Sequence, residues 1–189
     1  MLRSILMLAI LALTASASAN EFDYDFFQLS YGNVEFDDVN VDGDGFGLAG
    51  SYSINPDFHV FAGYEAVGLD FGIDATTLGA GLGWHTTLSP VVDLVASVSY
   101  QYVELDAPGG GNVDDNGLGL GVGLRFAASD ALELNAGISY VDLSDSGDDT
   151  GFGVGGLYSF SEAFSLGLSA DWSDDVSSYT LAGRFYFGQ

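Results

Sequence analysis

The 189-residue sequence has no cysteine and no lysine. The missing cysteine excludes disulfide scaffolds, thiolate zinc sites and cysteine nucleophiles. Positive charge is nearly absent: three arginines face 27 acids, for a formal net charge of −24. A polyanion of this strength is excluded as an ordinary binder of nucleic-acid phosphates or of bare anionic lipid. Histidine occurs twice, as His59 and His85. No run of 18 or more apolar residues exists, so no spanning helix is expected. Against these absences, hydrophobic residues make up 48% of the chain and mean hydropathy is +0.26. That balance argues against acid-driven disorder. The 27 glycines fall inside patterned segments rather than in linkers.

Residues 1–19 read as a secretory signal peptide. Arg3 supplies the positive start, Ile5–Leu13 the apolar run, and Ala17-Ser18-Ala19 a small-residue cleavage site ahead of Asn20. The apolar run is too short for a membrane anchor, which needs about 20 residues. Residues 20–189 are expected to form one exported domain with two cations, Arg125 and Arg184.

The rest of the chain alternates with period two. Leu78, Ala80, Leu82 and Trp84 are separated by glycines, as are Leu118, Leu120, Val122 and Leu124. Alternation of this kind means strands whose two faces meet different surroundings. Ten segments are expected, at 25–35, 45–54, 58–67, 75–86, 92–104, 117–127, 132–142, 151–160, 164–173 and 178–187. Eight is the alternative count, since 68–75 and 174–178 could be tight turns or bulges. Four connections are short, and the other five, around 36–44, 68–74, 105–116, 143–150 and 174–177, are mostly longer and acidic. Alternation of long and short connections is the plan of an up-and-down antiparallel barrel in an outer membrane, with short periplasmic turns. The short turns head a weak repeat: YSINPDFHVFAGY (52–64), WHTTLSPVVDLVASVSY (84–100), FAASDALELNAGISY (126–140) and YSFSEAFSLGLSADW (158–172).

One face carries Leu, Val, Ile and aromatic rings, and the rings fall in two bands. Trp84, Phe126 and Tyr158 lie beside the short turns; Tyr100, Tyr140 and Trp172 lie near the opposite ends. Paired aromatic girdles belong to a membrane barrel. The competing reading, a soluble barrel or sandwich, would turn a glycine-rich face to water. The second face is Gly, Ser, Thr and Asn with a few large residues, and is expected to line a polar lumen. There Arg125 and Arg184 should pair with Asp93 or Glu133, because lone charges in a narrow bore are costly.

On this pattern residues 20–189 resemble the small outer-membrane β-barrel superfamily of OmpA-, OmpX- and Opa-like proteins. The segment VDGDGFGLAGSYSINPDFHVFAGY (41–64) is also similar to a family of small secreted barrels of xanthomonads linked to signalling and biofilm. Phe185 and Phe187 resemble the C-terminal signal read by the outer-membrane assembly machinery, although Gly188 and Gln189 follow. The resemblance implies outer-membrane lipid and lipopolysaccharide as surroundings.

Some barrels of this size are enzymes, but His59 and His85 sit beside the short turns, at the wrong end for surface substrates. No GxSxG or HExxH motif is present. No catalytic residue and no cofactor are expected. Asp42, Asp44, Asp114, Asp115, Asp148 and Asp149 fall in the acidic connections and could gather Ca2+ or Mg2+ from neighbouring loops. Such an ion would bridge to lipopolysaccharide phosphates; solvated acids that keep the tips soluble are the simpler reading. The expected function is a non-enzymatic outer-membrane barrel acting in envelope integrity or surface adhesion, with a narrow solute channel as the alternative. The protein should fractionate with the envelope, require detergent and show heat-modifiable gel mobility; recovery as a soluble periplasmic protein would overturn the reading.

Overall fold

The computed structural model describes residues 22–36, 41–174 and 176–187. The expected leader and Asp175, Gly188 and Gln189 lie outside this range. The described chain is almost entirely strand: β1 (Phe26–Phe36), β2 (Val41–Asn55), β3 (Phe58–Leu69), β4 (Ile73–Ser89), β5 (Val92–Ala107), β6 (Gly111–Ser129), β7 (Leu132–Leu143), β8 (Gly147–Ser161), β9 (Phe164–Ser173) and β10 (Val176–Tyr186). Each strand is antiparallel to its chain neighbours, and β1 pairs with β10 from Phe26–Tyr186 to Phe36–Val176, closing a ten-stranded barrel. Closure leaves no edge, so every backbone ladder is satisfied within the wall. The count is ten rather than eight because β3 and β4 pair with each other from Phe58–Trp84 to Leu69–Ile73, and β9 and β10 from Phe164–Phe185 to Ser173–Val176, so each is a full strand of its own. Both ends of the described chain lie at the end with the four short turns, called here the inner end.

Side chains at alternate positions point outward and carry the apolar load. Leu29, Leu48, Val98, Leu120, Val122, Ile138, Leu168 and Leu181 are all exposed on the outer wall. Trp84, Phe126, Tyr158, Phe185 and Phe187 are exposed beside the inner turns; Tyr100, Tyr140 and Trp172 are exposed toward the other end. Both girdles are therefore on the wall that meets lipid.

The four-fold repeat has a structural basis. The register slips at the same place in each inner hairpin, between Ser53 and Asn55, Thr87 and Ser89, Ala127 and Ser129, and Ser159 and Ser161. Such bulges bend a strand sharply. In the first, Asn55 Oδ1 accepts from the amides of Asp57 and Phe58 at 2.9 and 3.0 Å; in the third, Ser129 Oγ accepts from Ala131 and Leu132 at 3.3 and 3.1 Å.

The outer connections differ from expectation. Where described, the acidic segments are not long loops: β5 runs on to Ala107 and β6 starts at Gly111, so most of 105–116 is strand, while residues 37–40 of the expected 36–44 connection lie outside the described residues. Alternation continues through these segments with its polarity reversed. In Val103-Glu104-Leu105-Asp106 the valine and leucine face inward and are buried, and the acids face outward. Asn33-Val34-Glu35-Phe36 and Val141-Asp142-Leu143 repeat the arrangement. Below this boundary the strands are apolar outward; above it they are apolar inward. The barrel thus has a lipid-facing storey and a second storey built like a water-soluble barrel. At 19 residues, β6 extends roughly 60 Å along the chain, more than an apolar band of about 25 Å needs even when tilted.

Glycine matters most where strands approach closely inside this upper storey. A Cβ on Gly45 would lie 2.1 Å from the Ala66 carbonyl oxygen, and one on Gly117 1.9 Å from that of Asp142. Val122, outward in the middle of β6, tests the lipid-facing assignment. Val122→Arg should destabilise the barrel in bilayers by about 2–4 kcal/mol, read by urea unfolding in vesicles, whereas a water-facing wall would tolerate it.

Candidate functional site

Among the described residues the interior gathers polar side chains from many strands, and it has three levels. The inner level is a plug. Residues 22–25, ahead of β1, turn into the bore instead of hanging free. Tyr24 is buried, and its ring stacks on His85 at 3.8 Å and on His59 at 4.7 Å between centroids. Its hydroxyl donates to Asp93 Oδ2 at 3.2 Å. The Arg125 guanidinium lies 4.4 Å from the Tyr24 ring centre and 4.6 Å from that of Phe22, within cation–π range.

Two arginines anchor this level. Arg125 donates through Nε and Nη2 to the two carboxylate oxygens of Glu133 at 3.0 and 3.2 Å, a bidentate pair with only 2% and 0% of the two residues exposed. Arg184 donates Nε to Gln28 Oε1 at 3.0 Å, makes a second, shorter bond from Nη2 to the same oxygen, and sits 4.0 Å over the Phe26 ring. The expected pairing of Arg125 with Glu133 is present. Asp93, the other expected partner, holds Tyr24 and stands 3.9 Å from His85 Nδ1.

The middle level is small and polar. Glu65, Thr77, Ser99, Gln101, Ser139 and Asp171 all point inward here, on β3, β4, β5, β7 and β9. The outer level is apolar. Val34, Phe36, Val41, Val67, Leu69, Ala75, Val103, Leu105, Val141, Leu143 and Val176 form one buried cluster, each between 1% and 7% exposed, with Ile73 against it. This corrects the expectation of a bore that is polar throughout: its outer end is packed with aliphatic side chains from seven strands.

The acids expected to gather a divalent ion are dispersed. Asp42 and Asp44 lie on β2, Asp114 and Asp115 on β6, and Asp148 and Asp149 on β8, and no two of these strands are neighbours. Among the described residues no group of three or more His, Asp or Glu side chains could hold a metal. Asp115 is a clasp: it faces inward and accepts from Ser146 Oγ at 2.6 Å and from the amides of Asp145 and Ser146 at 3.1 and 2.8 Å. Asp44 accepts from the Tyr31 hydroxyl at 2.9 Å. Reasoning from sequence missed the roles of Phe22, Tyr24 and Gln28. The aromatic Phe22-x-Tyr24-x-Phe26 already had the right period, but its proximity to the cleavage site hid it.

A closed antiparallel barrel with a lipid-facing wall, twin aromatic girdles and a filled bore defines a small outer-membrane β-barrel protein. The sequence profile described as "Outer membrane protein beta-barrel domain" matches residues 4–160, and the chain belongs to that family. Among solved structures, it is similar to the KdgM porin (11% identity, 85% of this chain and 99% of that one, TM-score 0.49). It is also similar to the N-terminal β-barrel domain of Pseudomonas aeruginosa OprF (11%, 86% and 98%, 0.46) and to Neisserial surface protein A (18%, 87% and 96%, 0.41). No curated protein matches the chain.

The buried Arg125–Glu133 pair generates a test. Arg125→Ala leaves Glu133 without its partner and should cost about 3–5 kcal/mol in unfolding free energy. Replacing both, Arg125→Met with Glu133→Leu, should cost much less, and urea unfolding of the two variants separates the effects.

Proposed function

We propose that this protein is a non-enzymatic, non-conducting barrel that serves the envelope through its outer rim, in envelope integrity or surface contact. The reversal of strand polarity at the outer boundary carries this reading. It fills the bore with a Val/Leu core and sets carboxylates on the outside of the wall just above the outer aromatic girdle. Four of those carboxylate pairs are directly opposed across strands: Glu35 with Asp42, Asp74 with Asp106, Glu104 with Asp114, and Asp142 with Asp148.

Like charges directly opposed on a sheet are destabilising. The placement is costly in plain water and is relieved by counterions. At the level of lipopolysaccharide headgroups, Ca2+ or Mg2+ shared between a rim carboxylate and a lipid phosphate would supply that relief, joining protein to leaflet. The alternative, a narrow solute channel, requires a water path through the aliphatic cluster and past Tyr24, and ten strands with a filled interior fall well short of the wide channels of 16–18 strands.

Planar-bilayer recording of the purified chain should show no stable unitary conductance; openings whose size changes on Arg125→Ala would make it a channel instead. Cells lacking the protein, or carrying amides at the four opposed pairs, should become more sensitive to detergent and EDTA. Unchanged sensitivity in both strains would remove the rim as the working surface.

A further inference from the structure

The middle level of the lumen contains a row of oxygen ligands that the plug and the apolar cluster leave unused. Ser30, Gly47, Glu65 and Thr77 follow one another across β1, β2, β3 and β4 as direct ladder partners. Gln101 reaches over from β5, where it is opposite Gly79. Together these residues line a cavity of about 30 Å³, room for roughly one or two water-sized occupants.

Gln101 is the telling residue. It is 3% exposed, and its Nε2 donates to Ser99 Oγ at 2.8 Å. Its Oε1 has no hydrogen-bond partner among the described residues, although it is buried. Leaving a buried carbonyl oxygen unsatisfied is costly. Glycine keeps the space in which it sits: a Cβ on Gly79 would approach that same Oε1 to 2.7 Å.

Charge makes the second argument. Glu65 lies seven residues beyond Phe58, the first residue of its strand, and Asp171 lies seven beyond Phe164, so both stand at one height above the inner turns. Asp171 faces the bore from β9, outside the lining of this cavity, and is hydrogen-bonded to Ser169. The described cations, Arg125 and Arg184, are committed to the inner level. Two carboxylates in an enclosed bore with no nearby cation are costly unless something neutralises them. The donor set is oxygen throughout: carboxylate, amide carbonyl and hydroxyl. That set suits hard divalent ions, and one such ion balances two carboxylates.

The geometry points to a single calcium or magnesium ion held in the middle of the lumen by Glu65 and Gln101, with the Ser30 and Thr77 hydroxyls alongside and Asp171 facing them across the bore as the second negative charge. The ion lies between the aromatic plug and the aliphatic cluster, so it enters during folding and exchanges slowly afterwards. Slow exchange distinguishes it from ions at the outer rim, which EDTA strips readily. It is also independent of what the rim does.

The test counts metal. The full chain, purified from membranes in detergent, is washed with EDTA and its residual calcium and magnesium measured by mass spectrometry. Wild type should retain about one divalent ion per chain, and Glu65→Gln should retain less than a tenth of that. Asp114→Asn, at the rim, should leave the retained ion in place. Wild type unfolded with EDTA and refolded with CaCl2 or MgCl2 should recover the ion. Heat-modifiable mobility confirms that each variant is folded, and Gln101→Leu replaces Glu65→Gln if that variant fails to close. No EDTA-resistant ion in wild type would overturn the inference and assign neutralisation to protons. Equal retention by folded Glu65→Gln would overturn it as well.

Discussion

A strand that passes from hydrocarbon into water has to exchange its apolar face, and this barrel is organised around that exchange. In the lower storey the solvent is lipid, so leucines and rings point out and the interior takes whatever polar groups remain. In the upper storey water surrounds the wall, so valines and leucines turn in and the acids, Asp115 apart, mostly turn out. The backbone ladder runs through the boundary without a break, because closure between β1 and β10 is needed equally on both sides. The occlusion of the bore follows from this arrangement. A short soluble barrel needs a hydrophobic core, and here that core lies across the outer mouth.

The inner mouth is closed by different means. Its level in the bore is lined by polar residues, so aliphatic packing is not available there. Tyr24 and Phe22 offer ring faces to Arg125, Tyr24 offers a hydroxyl to Asp93, and Glu133 satisfies the guanidinium in its plane. Each buried charge is thus met by a partner of suitable geometry. The two closures leave between them a chamber in which no described cation meets Glu65 and the Gln101 carbonyl oxygen is left unbonded, which is why that chamber, rather than either seal, asks for a ligand.

The lipid-facing storey was legible in the sequence because Leu118-Gly119-Leu120-Gly121-Val122 has only one physical reading. The four inner hairpins were legible from their repeat, and Arg125 with Glu133 from parity and the penalty on lone charge. The upper storey was not. Glu104-Leu105-Asp106 and Asp142-Leu143-Ser144-Asp145 look like loop because acids outnumber the aliphatics between them, and net composition masks a period of two. The scatter of Asp42, Asp114 and Asp148 over β2, β6 and β8 was also out of reach, since closeness of loops in a ring depends on strand order and length rather than on charge count.

Short outer turns have a consequence for anything that approaches from outside. The stretch from Ala107 to Gly111 crosses between strands with three residues, and Ser144–Ser146 does the same, pinned by Asp115. At these described turns a visiting phage tail, antibody or protease therefore meets a short, crenellated edge instead of supple tentacles. Recognition of such an edge is by carved relief, and boiling erases it.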